Sequence, residues 1–198
     1  MTRLMAEIIF LVGVFGWGAI RIPHEVKNKR KNRIHVSAVD RRERVLLLIS
    51  LTGLGIVPIT YCLTARFGLL RFADYGFSPA QAWAGAAVFA AALALFLATH
   101  RQLGRNWSQT LELREGHTLV THGVYRLVRH PMYSAFFLWA LAQLLLLQNW
   151  IVGPAGFVGF GLLYAFRIGR EEAMMHEAFG ADYAAYAART RRIIPYLY

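Results

Sequence analysis

Five apolar runs divide this sequence, at 4–20, 45–65, 79–99, 132–150 and 151–168, and each is close to the length of a membrane-crossing helix. A bilayer core of about 30 Å takes about 20 mostly apolar residues, because every backbone polar group inside it must be satisfied within its own segment. With 57% hydrophobic and 17% charged residues in 198, the chain carries far more apolar surface than a soluble domain of this size. The expected fold is therefore an all-α integral membrane protein of about five transmembrane helices, without a Rossmann sheet. The first run ends at Ala19-Ile20-Arg21 with no small-x-small cleavage pattern and reads as a retained helix. The last two runs are separated only by Asn149, Trp150, Gly153 and Pro154, which predicts a helical hairpin with a tight turn.

Charge fixes the expected topology. Of 22 Lys and Arg residues, nine lie in 21–44, five in 101–129 and five in 167–192, leaving only Arg3, Arg66 and Arg71 elsewhere. By the positive-inside rule the N-terminus faces out and the C-terminus lies in the cytoplasm. A net charge of +11 confined to loops is membrane topology, not a nucleic-acid footprint. The basic run 27–33 reads as an anchor to anionic headgroups. Residues 1–99 form three helices with a basic loop at 21–44, and 100–198 carries the chemistry, the two making one structural unit.

Several patterns carry no chemistry. Ala82, Ala86, Ala90, Ala94 and Ala98 recur every fourth residue, a small-residue stripe that lets a neighbouring helix approach. The glycines at 13, 16 and 18 and at 153, 156, 159 and 161 follow no strand and do not read G-x-G-x-x-G. Seven histidines form no H-E-x-x-H or i,i+4 pair, so no metal is expected, and the lone Cys62 sits in an apolar run as an inert thiol.

Ionisable residues at helix ends in a membrane are costly without a partner or a cavity, and two segments concentrate them. The first, 106–133, contains His117-Thr118-Leu119-Val120-Thr121, Gly123-Val124-Tyr125 and Arg129-His130-Pro131-Met132-Tyr133. Pro131 suits the first position of a helix, which puts His130 at the cap beside free N–H groups and the positive end of the dipole, a setting for a carboxylate. The second segment begins at Arg167. There Arg167 and Glu171 share a helical face and point to a lined pocket, while Glu172, His176, Phe179, Tyr183 and Tyr186 follow on another. Tyr183 and Tyr186 are expected as aromatic anchors of an amphipathic interfacial helix.

The order of these motifs, with Phe179-Gly180 and a closing Arg192-Ile193-Ile194-Pro195, resembles the isoprenylcysteine carboxyl methyltransferase family, which is related to membrane phospholipid methyltransferases. The resemblance covers about the last hundred residues. It departs at Val124, where many bacterial members have Pro, and at Ala135, where Gly is frequent. It implies a cofactor pocket at the cytoplasmic ends of the last helices, closed by the C-terminal segment, in which S-adenosylmethionine meets His117, Thr118, Leu119, Val120, Tyr125, His130, Pro131, Met132, Tyr133 and Glu171. Glu112 falls near a further polar contact, and Arg167 would meet the substrate. The Ala-rich helices and short loops fit a prokaryotic plasma membrane, where the acceptor is a prenylated or other lipophilic acid among membrane lipids.

The chemistry accords with these residues. A sulfonium methyl is already electrophilic, so the task is alignment and exclusion of water. A carboxylate acceptor is ionised at neutral pH and needs no base, with Arg167 orienting it. An amine acceptor, as in a phospholipid N-methyltransferase, would need a base such as Glu172 or His176. A third reading is an NADPH-dependent sterol or steroid reductase, which shares an Arg-His-Pro-x-Tyr-like stretch; Glu171 and Glu172 are a poor place for its 2′-phosphate.

Overall fold

In the computed structural model the apolar runs become helices α1 (Arg3–Lys31), α2 (Arg41–Leu51), α3 (Val57–Leu63), α4 (Pro79–Leu103), α5 (Pro131–Leu146) and α6 (Val152–Arg189). The structure describes residues 1–31, 34–37, 40–106, 112–114 and 118–197, of which 27–31, 34–37, 112–114, Arg66 and Arg105 are described by backbone alone. A π-helical turn, Thr52–Ile56, joins α2 to α3 without a break. Among the described residues four stretches are long and apolar enough to cross a membrane: Arg3–Val26, Arg41–Leu63, Pro79–Leu103 and Val152–Arg189. Helix α5 has 16 residues, about 24 Å of helix, and is apolar but shorter than a usual span.

Helix starts follow local chemistry. Asp40 caps α2 by accepting from the Glu43 N–H at 2.7 Å, and Ser78 caps α4 by accepting from Gln81 N–H. The hairpin between α5 and α6 exists, but its turn is Leu147 to Ile151, earlier than Gly153 and Pro154 imply. Asn149 decides this: its Oδ1 accepts from Ile151 N–H and Val152 N–H, both at 2.9 Å, so the helix restarts there and Pro154 falls harmlessly in its first turn.

The two ends of the bundle differ in kind. At one end the hairpin turn meets the 64–78 connection, with Tyr75 N–H donating to Gln148 O and Trp150 N–H to Ala73 O. Asp74 there accepts from Asn149 and Tyr61 and pairs with Arg3, while Arg71 pairs with the buried Glu7 at 2.8 Å. At the other end Ile34–Ser37 pairs antiparallel with Glu112–Arg114, the two strands of a small ribbon. This ribbon ties the loop after α1 to the connection after α4, so the two basic segments share one end of the bundle.

Packing corrects the alanine stripe. Helix α4 buries Ala82, Gly85, Phe89, Ala92, Phe96 and Thr99, whereas Ala90 and Ala94 are exposed. A four-residue repeat outruns the 3.6-residue turn by about 40° each time, and the stripe rotates away from its neighbour. At Gly85 a Cβ would stand 2.9 Å from Leu145 Cβ, so that glycine sets how closely α4 meets the hairpin.

Close contact also governs the π turn. A Cβ at Gly53 would lie 2.2 Å from Ala155 O, and one at Gly159 would lie 2.7 Å from Ile49 O. Here α2 and α6 touch backbone to backbone, and the buried Gln143 donates to Gly53 O at 3.0 Å and Val152 O at 2.7 Å. That bond satisfies a carbonyl which the wider π turn leaves out of the regular helical ladder.

The C-terminal region differs from expectation. Helix α6 does not end at Ile168 but runs 38 residues to Arg189, because nothing from 155 to 179 breaks it. Its one non-helical residue is Gly180, at φ 49° and ψ −122°, a conformation open to glycine. The kink turns the last stretch inward. Tyr183 and Tyr186 are therefore buried, not exposed interfacial anchors, and Tyr186 OH donates to Tyr125 O at 2.6 Å.

Candidate active site

Two polar segments meet at the basic end of the bundle. The start of α5 presents His130, whose backbone N–H donates to Arg192 O at 2.9 Å and whose carbonyl accepts from Tyr133 and Ser134 N–H. One ring face of the site is α6, where Arg167, Glu171 and Glu172 project. His130 Nδ1 lies 3.5 Å from Glu171 Oε1, and its Nε2 lies 3.3 Å from Glu172 Oε1. Tyr133 OH donates to Glu171 Oε2, and Arg167 Nε stands 3.6 Å from the same oxygen. The residues that sequence reasoning drew from opposite ends of a forty-residue interval thus form one cluster.

Glu172 has a different place. It receives Arg129 at 2.8 Å and Arg192 at 2.9 Å as well as His130, and it does not line the adjoining cavity. These bonds latch the tail over the helix ends, assisted by Arg129 N–H to Arg191 O at 2.7 Å and Ser134 Oγ–H to Ile193 O at 2.6 Å. Glu172→Gln should weaken the latch by about 1.5–3 kcal/mol, the scale of hydrogen bonds to a charged group. Faster tryptic cleavage after Arg189 to Arg192, at unchanged helical content, is the expected reading; cleavage at the wild-type rate would show that the backbone bonds alone hold the tail.

Arg167 is buried, and its Nη1 meets Glu43 Oε1 at 3.1 Å. Glu43 is 1% exposed and comes from the first turn of α2, a residue that sequence reading passed over inside Arg41-Arg42-Glu43-Arg44. A second pair, Arg170 with Asp40 at 3.1 Å, binds the same two helices at the surface. The only hint in the sequence was an acid among arginines at the mouth of an apolar helix, opposite the charged turn of α6.

Below this cluster opens a cavity of about 710 Å³. Of the residues expected around a cofactor, Thr118, Leu119, Val120, Tyr125, His130, Met132, Tyr133 and Glu171 line it, as does Arg167. Pro131 does not line it and serves as the helix start. His117 lies outside the described residues, and of Glu112 only the backbone is described, in the ribbon strand. Sequence reasoning missed the contribution of the first half of the chain: Trp17 from α1, with Leu47, Leu51, Leu54 and Ile59 from the second span, makes the apolar wall, and Arg21 of α1 also lines the cavity. Nothing in an apolar run marks which of its faces looks into a void.

His130 carries the electrostatic signature. Burial by itself lowers its pKa, but the bonds to Glu171 and Glu172 outweigh burial and raise it above its ordinary value near 6.5. The protonated ring then bridges two carboxylates. Because the folded value is the higher one, this contribution to stability is complete below the unfolded pKa and is lost as pH rises through the raised folded value. Thermal unfolding followed from acid to alkaline pH should therefore show a decline as pH rises past the ordinary imidazole value, and His130→Gln should abolish it. A decline of the same size in the variant would assign it to other groups.

Residues 83–177 match the model of the isoprenylcysteine carboxyl methyltransferase family. A probable protein-S-isoprenylcysteine O-methyltransferase of Oryza sativa subsp. indica is 35% identical over 100 residues, covering 48% of this chain and 50% of that protein. Protein-S-isoprenylcysteine O-methyltransferase A of Arabidopsis thaliana is 35% identical over 96 residues, with 48% and 49% covered. The chain thus spans about half the length of these relatives. In fold it resembles the solved eukaryotic intramembrane Ras methyltransferase, with a TM-score of 0.55 at 24% identity, over 80% of this chain and 55% of that one. Through 83–177, across the very helices that carry His130, Arg167 and Glu171, the chain is thus similar to the isoprenylcysteine carboxyl methyltransferase family.

Proposed function

We propose that this protein transfers a methyl group from S-adenosylmethionine to the carboxylate of an isoprenylcysteine-like or other lipophilic acid, at the cytoplasmic face of a prokaryotic plasma membrane. The observation that carries this reading is a single cavity with a charged pole, at His130, Glu171 and Arg167, continuous with an apolar pole built from the first, second and last helices. The N-terminus faces out and the basic end in, since 19 of the 22 cationic residues fall in the segments of that end.

The donor set fits the cofactor. When bound, S-adenosylmethionine supplies a methyl carbon made electrophilic by its sulfonium. Glu171 can accept from the ammonium of the amino-acid end, and His130 with the first turn of α5 can hold its carboxylate. Tyr125, Met132 and Tyr133 offer aromatic and sulfur surface to the adenosine and the cationic sulfur, and Thr118, Leu119 and Val120 close one side. Arg167 orients the acceptor carboxylate, whose ionised oxygen needs no base.

Charge balance supports the same pairing. Glu43, Glu171 and Glu172 offset Arg129, Arg167 and Arg192, which leaves the protonated His130 ring to meet the cofactor's carboxylate. The cofactor's two cationic groups are in turn offset by its own carboxylate and that of the acceptor, so loading both adds no net charge to a weakly solvated site. An amine acceptor would require a free base, and Glu172 is held by two arginines and an imidazole.

The test is calorimetry on the full chain in detergent, against S-adenosylmethionine, its demethylated product and NADPH. Micromolar affinity for the first two is expected. Tight NADPH binding with no heat from the methyl donor would overturn the assignment in favour of a reductase.

A further inference from the structure

Buried glycines in this bundle have a reason that can be read from what a Cβ would strike. At Gly53, Gly85 and Gly159 it would stand 2.2, 2.9 and 2.7 Å from its nearest neighbour, and at Gly153 and Gly156 it would stand 3.0 Å from leucine methyls. Each marks a place where two helices press together. Gly55 is the exception among the buried, described glycines. It is buried in the π turn, yet a Cβ there would meet only Leu51 Cδ1, at 3.5 Å, an ordinary contact. Its φ is not positive, so the backbone does not demand glycine either. A glycine inside a helix costs stability relative to alanine, and here neither packing nor conformation offsets that cost.

What Gly55 faces is the cavity. It lines the void together with Leu47, Leu51 and Ile59, residues spaced by four along the second span. Glu43 and Arg167 mark the charged pole at the start of this span. Gly55 stands twelve residues deeper, about 18 Å along the axis, and Ile59 one turn deeper still. A side chain at 55 would therefore project into the apolar limb between Leu51 and Ile59. The π turn fixes the register, because Gly53 is pinned against Ala155 and Gly159 while Gln143 holds its carbonyl. The wall at Gly55 cannot rotate away without breaking that contact.

We propose that Gly55 sets the length of the lipid tail this cavity accepts: its missing side chain keeps the deep end of the apolar limb, toward Ile59, open to the distal part of a long acyl or isoprenyl chain. The inference rests on the proposed function for the identity of the head group, but it concerns the tail. A short tail ends above Gly55 and does not sense it.

The experiment uses the full chain in detergent with a series of S-alkylated thiol acids carrying two, three or four isoprene units. Two readouts are taken for wild type, Gly55→Ala and Gly55→Leu: calorimetric affinity for each acid in the presence of S-adenosylhomocysteine, and kcat/KM with S-adenosylmethionine. Gly55→Leu should lower affinity and kcat/KM for the four-unit acid by about tenfold or more, the scale of a few misplaced methylenes in an apolar pocket. The two-unit acid should change by less than about twofold, with Gly55→Ala intermediate. Affinity for S-adenosylhomocysteine should be unchanged in both variants, which also reports that they fold. Equal losses for all three acids, or none for any, would overturn the proposal, and Gly55→Ala decides the matter if the leucine variant does not fold. If wild type binds the acids in a length-dependent way but transfers no methyl group to them, the functional reading fails while the claim about Gly55 is still decided by the affinities.

Discussion

Arg167→Ala is expected to lower kcat for a lipophilic acid by about 10²–10³-fold, the usual loss on removing one group that meets developing or fixed charge on the reacting oxygens. The same change is expected to destabilise the fold by about 3–5 kcal/mol, because it strips the partner at 3.1 Å from Glu43, which has 1% exposure and cannot recruit water. Turnover and folding are separable with a second variant. Arg167→Lys keeps a cation opposite Glu43 but loses the planar fork that can serve Glu43 and an acceptor carboxylate together. Its thermal unfolding should stay near that of wild type while single-turnover methyl transfer remains depressed by about tenfold or more. Near-normal transfer by Arg167→Lys would mean that Arg167 serves the helix contact and not the acceptor.

The double role of Arg167 also explains how the second span belongs to the site. Asp40 caps α2 and pairs with Arg170, Glu43 pairs with Arg167, and Arg42 lies over the Phe166 ring at 4.4 Å. Three successive contacts thus fix the first turn of α2 on consecutive turns of α6, and everything below them on the second span, including the π turn, inherits that register. Movement of α2 by one residue would expose Glu43 to the apolar wall. The apolar limb and the charged pole are consequently parts of one rigid arrangement, although they come from opposite halves of the sequence.

How far the sequence could be read follows from what each device needs. Apolar length and basic loops are additive properties of composition, so the helices, the shared basic end and the hairpin were legible. The meeting of His130 with Glu171 was legible because helix starts and i,i+4 pairs have local rules, and the resemblance supplied their partners. Long-range complementarity was not. Glu43 among arginines looks like a solvated turn until Arg167 is placed opposite it, and Tyr183 looks like an interfacial anchor until Gly180 bends the helix. The π turn left only a Gly-Leu-Gly sequence in an apolar run, and its meaning lies in the backbone of α6, which touches it. The clasp of Arg3, Glu7, Tyr61, Arg71, Asp74 and Asn149 at the far end likewise joins residues that no spacing rule connects.

Glu171→Gln is expected to raise the dissociation constant for S-adenosylmethionine by roughly 10- to 150-fold, which corresponds to about 1.5–3 kcal/mol for a hydrogen bond to a charged partner. The substitution keeps shape and leaves an acceptor for Tyr133 OH, which donates to Glu171 in the wild type, so the cavity wall survives. What is lost is the negative charge that His130, at 3.5 Å, and Arg167, at 3.6 Å, now share and that the cofactor's ammonium would join. Two cations then face an incoming ammonium with one carboxylate fewer between them, so repulsion adds to the missing bond. The demethylated product carries the same amino-acid end without the sulfonium charge, and its affinity should fall by a similar factor. That parallel separates the assignments: if Glu171 instead stabilised the sulfonium, binding of the methyl donor would weaken while binding of the product stayed near wild type. Calorimetry with both compounds on the one variant reads the difference directly, and unchanged affinity for both would reduce Glu171 to an internal ion pair.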